Sequence, residues 1–262
     1  MPGTATGAPL AGEALRRMTA GPQYLFRRIT GGPQYLAAGH GSLAHRVSGL
    51  WHHAFAAQPL PPLWLVLGSG LLALAVVGSR LWPVARIVVT IVHEGGHALV
   101  ALAAGRRLAG VRLYRDTAGV TVSAGKPDGP GIVFTTAAGY PAPSLLGLGA
   151  AALLTAGHLT AMLLLSLVLL AGLAIAIRNA YGMLAVLVTA AAVAVVCLYA
   201  SAEIQAGFGY AMAWFLLLGG VRPVIELQRD RRRGGAGGSD AEQLARLTSV
   251  PGGAWVVLFG LF

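Results

Sequence analysis

Hydrophobic and polar positions divide the chain into unequal parts. Residues 1–60 interleave Gly, Pro and Arg with apolar residues and hold no run long enough to cross a bilayer. From Leu63 onward, long apolar runs alternate with short polar connections. A helix that crosses the hydrocarbon needs about 20 apolar residues, and on that measure the sequence predicts helices near 63–79, 84–104, 131–156, 159–177, 181–200 and 204–221. The terminal "PGGAWVVLFGLF" is too short to cross alone and reads as interfacial or partly inserted. Between the second and third spans, "VRLYR" and "GVTVSAG" each alternate with period two around the turn-prone "DTAG", which predicts a β-hairpin. A lone hairpin is marginal in water, so this one is expected to lean on the helices at the cytoplasmic mouth or on the membrane surface. The expected fold is an all-α polytopic membrane protein of about six transmembrane helices, with a small β-hairpin between the second and third.

Composition agrees with a membrane protein: 56% of residues are hydrophobic and only 11% charged, far fewer charges than a soluble surface carries. The net charge of +10 comes from 19 Lys and Arg against nine acids. Basic residues between apolar runs report topology rather than nucleic-acid binding, so no nucleic-acid partner is expected. Arg106, Arg107, Arg112, Arg115, Lys126, Arg178, Arg222, Arg229, Arg231, Arg232, Arg233 and Arg246 fall on the side of the N-terminal arm, against Arg80 and Arg86 opposite. The positive-inside rule then puts both termini in the cytoplasm. Residues 1–60 read as a basic, mostly flexible cytoplasmic arm, with a near-repeat of "PQYL" and with His40, His45, His52 and His53 lacking ligand spacing. Residues 61–221 form the transmembrane core, and 222–262 a cytoplasmic or re-entrant C-terminal segment. Anionic lipid is the expected neighbour of the basic segments, including "QRDRRRGGAGGS". Cys197, alone in an apolar run, excludes a disulfide framework and a cysteine metal cluster.

The candidate chemistry lies in "VVTIVHEGGHALVALAAG". His93 and His97 are four apart and so present both rings on one helix face, with Glu94 directly after the first. Three ionisable groups unpaired in hydrocarbon would cost several kcal/mol, which makes a shared metal the economical reading. Two imidazoles and a third protein ligand leave one position on zinc for water, whose pKa falls to about 7, and Glu94 is placed to take its proton. Gly95 and Gly96 lower helix propensity and are expected where another helix or a substrate backbone approaches closely.

With these residues in view, the chain resembles the site-two protease superfamily of intramembrane zinc metalloproteases. It is most similar to a divergent branch of short bacterial, largely actinobacterial, membrane zinc peptidase-like proteins. The resemblance rests on "HEGGHALVALAAGRRLAGVRLYRDTAGVTV", "AAGYPAPSLLG", "IRNAYGML", "VRPVIELQRD" and "SDAEQLARLTSVPGGAW", in that order, and excludes residues 1–60. It implies cleavage in or beside a transmembrane segment of a membrane-protein substrate that enters laterally, one zinc per chain, and residence in the bacterial inner membrane. It also implies an aspartate as third ligand, given in the better-studied branch by an "LDG" motif that this sequence lacks.

Asp240 in "GGSDAEQL" is the first choice for that ligand, a compact carboxylate at a helix start that otherwise has a capping role. Glu226 is the second, set against pairing with Arg222 four residues earlier. Asp116 already has a turn role and Glu203 falls on the wrong face. Asn179 and Arg178 in "IRNAYG" and Tyr140 in "AAGYPAP" are candidate substrate or supporting residues. Pro141 and Pro143 are expected to break or kink the third span. The predicted function is a zinc-dependent intramembrane endopeptidase. The alternative is an inactive zinc-binding membrane protein with a regulatory or partner-binding role. Oligomeric state is left open.

Overall fold

The computed structural model describes Val47, Gly49, Leu50, Ala54 and residues 56–262 except 236. The near-repeat of the arm and His40, His45, His52 and His53 lie outside the described residues. The architecture below belongs to the compact unit Gly49–Phe262.

Helix α1 (Leu63–Gly78) starts directly after Pro62, whose fixed φ and missing N–H suit a helix entrance. Helix α2 (Trp82–Ala103) carries the HEGGH stretch, opens with proline in its first turn and stops where Gly105 takes φ +70°, a left-handed conformation that glycine adopts without strain. Strands β1 (Arg107–Leu113) and β2 (Gly119–Ala124) form the antiparallel hairpin. Asp116 acts in the turn, its Oδ1 accepting from the Ala118 N–H at 3.1 Å. Helices α3 (Pro130–Ala137) and α4 (Pro141–Thr155) meet at a 69° bend over Ala138–Gly139–Tyr140, the break that the prolines predict. Helices α5 (Leu159–Ala176), α6 (Ala180–Tyr199) and α7 (Ala202–Arg232) follow, then the short α8 (Asp240–Thr248) and α9 (Gly252–Phe259).

Among the described residues, four helices are long and apolar enough to cross a membrane, namely α2, α5, α6 and α7, or five if the bent pair α3–α4 is one span. Helix α1, with 16 residues, is a shorter apolar helix, so length and composition give fewer spans than the six expected. The protein is an integral membrane protein with an α-helical core and one small hairpin.

Buried Leu163, Val186, Val111 and Leu113 tie helices and hairpin into one core. Strand β1 is paired on both edges. One edge meets β2; on the other, the Arg178 N–H donates to the Val111 carbonyl at 2.8 Å. The Asn179 amide adds a two-way pair, accepting from Leu113 N–H at 3.2 Å and donating to Leu113 C=O at 2.7 Å. The "IRN" stretch therefore fixes the hairpin to the bundle, which satisfies strand groups that would otherwise be buried and unpaired.

The arginine count of the sequence separates Arg86 from Arg222, but the structure brings both onto one carboxylate. Glu226 lies 3.4 Å from Arg86 Nη1 and 3.1 Å from Arg222 Nε, and accepts from Trp82 Nε1 at 3.1 Å. The Arg222 guanidinium also stands 4.7 Å from the centre of the Trp82 ring. The reason is the length of α7, which does not stop at 221 but runs 31 residues to Arg232. At 1.5 Å per residue that is about 46 Å, longer than the hydrocarbon is thick. Arg222 and Glu226 are thus helix residues packed on α2 rather than loop residues, and the expected boundary at 222 falls inside a helix.

Replacing Glu226 with alanine leaves two partly buried guanidinium groups facing each other. The expected loss is about 1–3 kcal/mol of stability, because Arg86 loses its carboxylate and Arg222 keeps only the Val77 carbonyl and the Trp82 ring against its desolvation cost. Thermal unfolding in detergent checks this, with bound metal expected to stay unchanged.

Candidate metal centre

Helix α2 alone brings His93 and His97 to one face, with their Nε2 atoms 3.1 Å apart. His97 is buried, and its Nδ1 lies 2.7 Å from the Thr135 carbonyl. A carbonyl only accepts, so Nδ1 carries the proton and the Nε2 lone pair points at its neighbours. The third group comes from 143 residues further along: Asp240 Oδ2 sits 3.2 Å from the Nε2 of His93 and 3.2 Å from that of His97. Ser239 occupies the N-cap position of α8, so Asp240 is its first helical residue and turns its carboxylate into the bundle instead of capping.

Three donor atoms thus form a triangle with edges of 3.1–3.2 Å. Tetrahedral zinc with ligands at about 2.0–2.1 Å spaces its ligand atoms about 3.3 Å apart, so the donor set and its spacing fit that ion. With neutral imidazoles no proton lies within the triangle, and Asp240 Oδ2 is buried without a hydrogen-bond donor. A buried anion facing two lone pairs is stable only with a cation or a proton among them.

Glu94 adds a second carboxylate, with an oxygen within 4.8 Å of a ligand atom of each histidine, close enough to join the same metal-holding group. It is buried, and the Thr121 hydroxyl of β2 lies 2.5 Å from its Oε2 as donor. The hairpin thereby reaches the site itself. Gly119, two residues before Thr121, leaves room for that carboxylate, since a Cβ there would come within 2.4 Å of Oε1. The hairpin tip is fixed to α2 as well, with Thr90 Oγ1 donating to Thr117 C=O at 3.0 Å.

The bend between α3 and α4 supplies the opposite wall. A Cβ on Gly139 would lie 2.3 Å from His97 Nε2 and 2.5 Å from His93 Nε2, so only hydrogen fits beside the donor atoms. Tyr140 meets His93 edge-on with ring centres 4.8 Å apart and stacks on Phe259 of α9 at 4.9 Å. Gly96 packs against the same bend, where a Cβ would come within 2.5 Å of that of Ala142, whereas Gly95 meets nothing within 4 Å. The glycine pair therefore serves helix contact at one position and open space at the other.

The predicted site residues separate cleanly. His93, Glu94, His97, Asp240 and Tyr140 come together. Glu226 is held by Arg86, Arg222 and Trp82, while Arg178 and Asn179 bind the outer edge of β1. Sequence reasoning did not single out Thr121, Gly119 or Thr135; it noted Gly139 only as thinning the third span beside Pro141 and Pro143. A signal for Thr121 exists: along β2 the half-buried positions are Gly119, Thr121 and Ser123, while Val120, Val122 and Ala124 are exposed. Polar residues on the inward phase of a strand call for polar partners inside, and Ser123 likewise accepts from Arg106 Nε at 3.0 Å.

A histidine pair one helical turn apart, with a carboxylate beside it, lies inside the helix bundle, and the family match gives the class: a membrane metallopeptidase of the site-two protease type. The chain belongs to the Peptidase M50B-like family, whose model matches residues 66–262. No curated protein and no solved structure matches it.

Gly139→Ala is expected to abolish metal binding while keeping the helices, because the added methyl occupies the space beside both Nε2 atoms. Bound metal per chain, set against far-ultraviolet circular dichroism, checks this; full metal content in the variant would contradict it.

Proposed function

We propose that this protein is a zinc-dependent intramembrane endopeptidase that hydrolyses peptide bonds in or beside transmembrane segments of other membrane proteins. His93, His97 and Asp240 hold one zinc per chain, and Glu94 is the general base. The observation that carries the reading is the closed triangle of two imidazole nitrogens and one carboxylate oxygen, with a second carboxylate, that of Glu94, within 4.8 Å of a ligand atom of each histidine.

Bound there, zinc supplies Lewis acidity toward water and the scissile carbonyl. The chain's own groups do the rest. Glu94 takes a proton from the attacking water as its oxygen joins the carbonyl carbon, then gives that proton to the leaving nitrogen as the C–N bond breaks. Thr121 aims the Glu94 carboxylate by occupying one of its oxygens. The Thr135 carbonyl keeps His97 in the tautomer whose Nε2 is free to ligate, as such partners do in other histidine metal sites. The "LDG" aspartate of the better-studied branch has its counterpart in Asp240, on a different element.

Substrate access also has a physical basis. An apolar cavity of about 1190 Å³ extends from Gly95, Gly96, Ala138 and Ala142 beside the histidines to Leu169 and Leu173 of α5. Its lining accepts a hydrophobic segment arriving from the bilayer, and the glycines let a backbone come close. Among the described residues the two-stranded sheet leaves the outer edge of β2 without a strand, close to Glu94, where an extended peptide finds backbone partners. Exposed Arg229, Arg232 and Arg233 at the end of α7 are placed to meet anionic lipid. The orientation, with both termini on the cytoplasmic face of a bacterial inner membrane, rests on the basic residues other than Arg86 and Arg222.

The test combines metal content and turnover. The unchanged protein in detergent is expected to carry close to one zinc per chain, and His97→Ala and Asp240→Ala to lose it. Glu94→Gln is expected to retain zinc and lose cleavage of a co-reconstituted single-span reporter by at least about a hundredfold. Zinc without cleavage in any reporter would favour the inactive, binding role; no zinc after metal-replete purification would end the metalloprotease reading.

A further inference from the structure

Asp240 reaches the histidines from a nine-residue helix that follows the Gly-rich stretch 234–238. A helix so short has little stability of its own, so its position is set by what it packs on. One support is apolar: Ala241 and Leu244 are fully buried with Val224 and Leu227 of α7 and with Val256 and Phe259 of α9. The other is ionic. Arg231, in the last turn of α7, pairs with Glu242, two residues beyond Asp240. Gly252, the first residue of α9, lies against both members of the pair, since a Cβ there would come within 2.6 Å of Arg231 Nη1 and 3.0 Å of Glu242 Oε1. Three helices therefore converge on one ion pair.

The geometry is asymmetric in a useful way. Two directed contacts tie α8 to its neighbours beside the apolar stripe: Thr248 Oγ1 in its last turn accepts from Trp255 Nε1 at 3.3 Å, and Glu242, in the same turn as Asp240, pairs with Arg231. Apolar contacts tolerate sliding where a directed ion pair does not. Rotation matters, because the Asp240 oxygen has to meet two nitrogens at once.

We propose that Arg231 is a positioning residue for the metal centre: by holding Glu242 against α9, it sets the rotation of α8 at which Asp240 completes the triangle with His93 and His97. This inference rests on the reading of Asp240 as a metal ligand. It adds that the metal's affinity is set in part by a surface-side ion pair that touches neither the metal nor the substrate.

The test uses the full-length protein in detergent and zinc alone as probe, with affinity measured by competition against a chromophoric chelator. Arg231→Glu is expected to weaken zinc binding by about tenfold or more, the usual scale for a lost partner of a ligand's support. Glu242→Arg is expected to do the same, and the double exchange Arg231→Glu with Glu242→Arg to restore affinity to within about threefold of the unchanged protein. Thermal unfolding with and without zinc separates positioning from plain destabilisation, because the single exchanges should shrink the zinc-induced rise in Tm rather than lower both forms equally. Unaltered affinity in both single exchanges, or no recovery in the double exchange, overturns the proposal. Asp240→Ala with unchanged zinc affinity, or an unchanged protein that binds no zinc, overturns instead the ligand reading on which it stands.

Discussion

The rest of the structure depends on one constraint, that His93, Glu94 and His97 lie in a little over one turn of an apolar helix and must all find partners without water around them. Each does so with a different element. His97 gives its Nδ1 proton to Thr135 of α3, Glu94 accepts from Thr121 of β2, and both imidazoles face Asp240 of α8. Polar groups left alone at that depth would cost more than the net stability of most domains can absorb. Helix α2 is thus the organising element, and what surrounds it is arranged by its polar face.

The same constraint accounts for where the backbone departs from plain helix. The hairpin, the 69° bend at Gly139 and the Gly-rich stretch before α8 all deliver groups to α2. Irregular backbone at membrane depth is tolerated where protein or a cavity borders it. The groups of β1 are satisfied, with β2 on one edge and Ile177–Asn179 on the other. The ionic cluster around Glu226 has a different task. It fastens α7 to α2 at Arg86, two turns before His93, so the helix that leads to α8 is registered against the helix that bears the histidines.

What the sequence made legible follows from the range of each signal. The apolar runs, the hairpin and the histidine pair are local patterns, periodic or spaced within a few residues, and they reappear as α2, α5, α6, α7 and β1–β2. Asp240 was reachable because acids are scarce in this chain, so a compact carboxylate beside a helix start had few competitors. Gly139 was marked only as a thin point of the broken third span, and Thr121, Thr135 and Gly119 were not reachable in that way. Their roles are defined by distances to α2 across tens of residues, and nothing in their own neighbourhoods announces them beyond the inward polar phase of β2. The pairing of Arg86 with Glu226 was hidden for a related reason: a span count ends a helix where hydropathy falls, whereas α7 continues through charged residues because its neighbours neutralise them.

The distribution of donors over the chain has a last consequence. Two of the three donor atoms come from adjacent turns of a long helix, and their separation is fixed by helix geometry before anything docks. The third comes from a nine-residue helix after a glycine-rich stretch, whose ordering is an event of its own. A cation bridging all three favours the docked arrangement of α8 and α9, and by linkage whatever favours that arrangement favours the cation equally. Helix α9 contributes Trp255, Leu258 and Phe259 to the lining of the apolar cavity, and Phe262 just beyond it joins them. The wall of the apolar cavity and the carboxylate that meets both histidines therefore belong to one C-terminal segment, so the placement of one is coupled to the placement of the other.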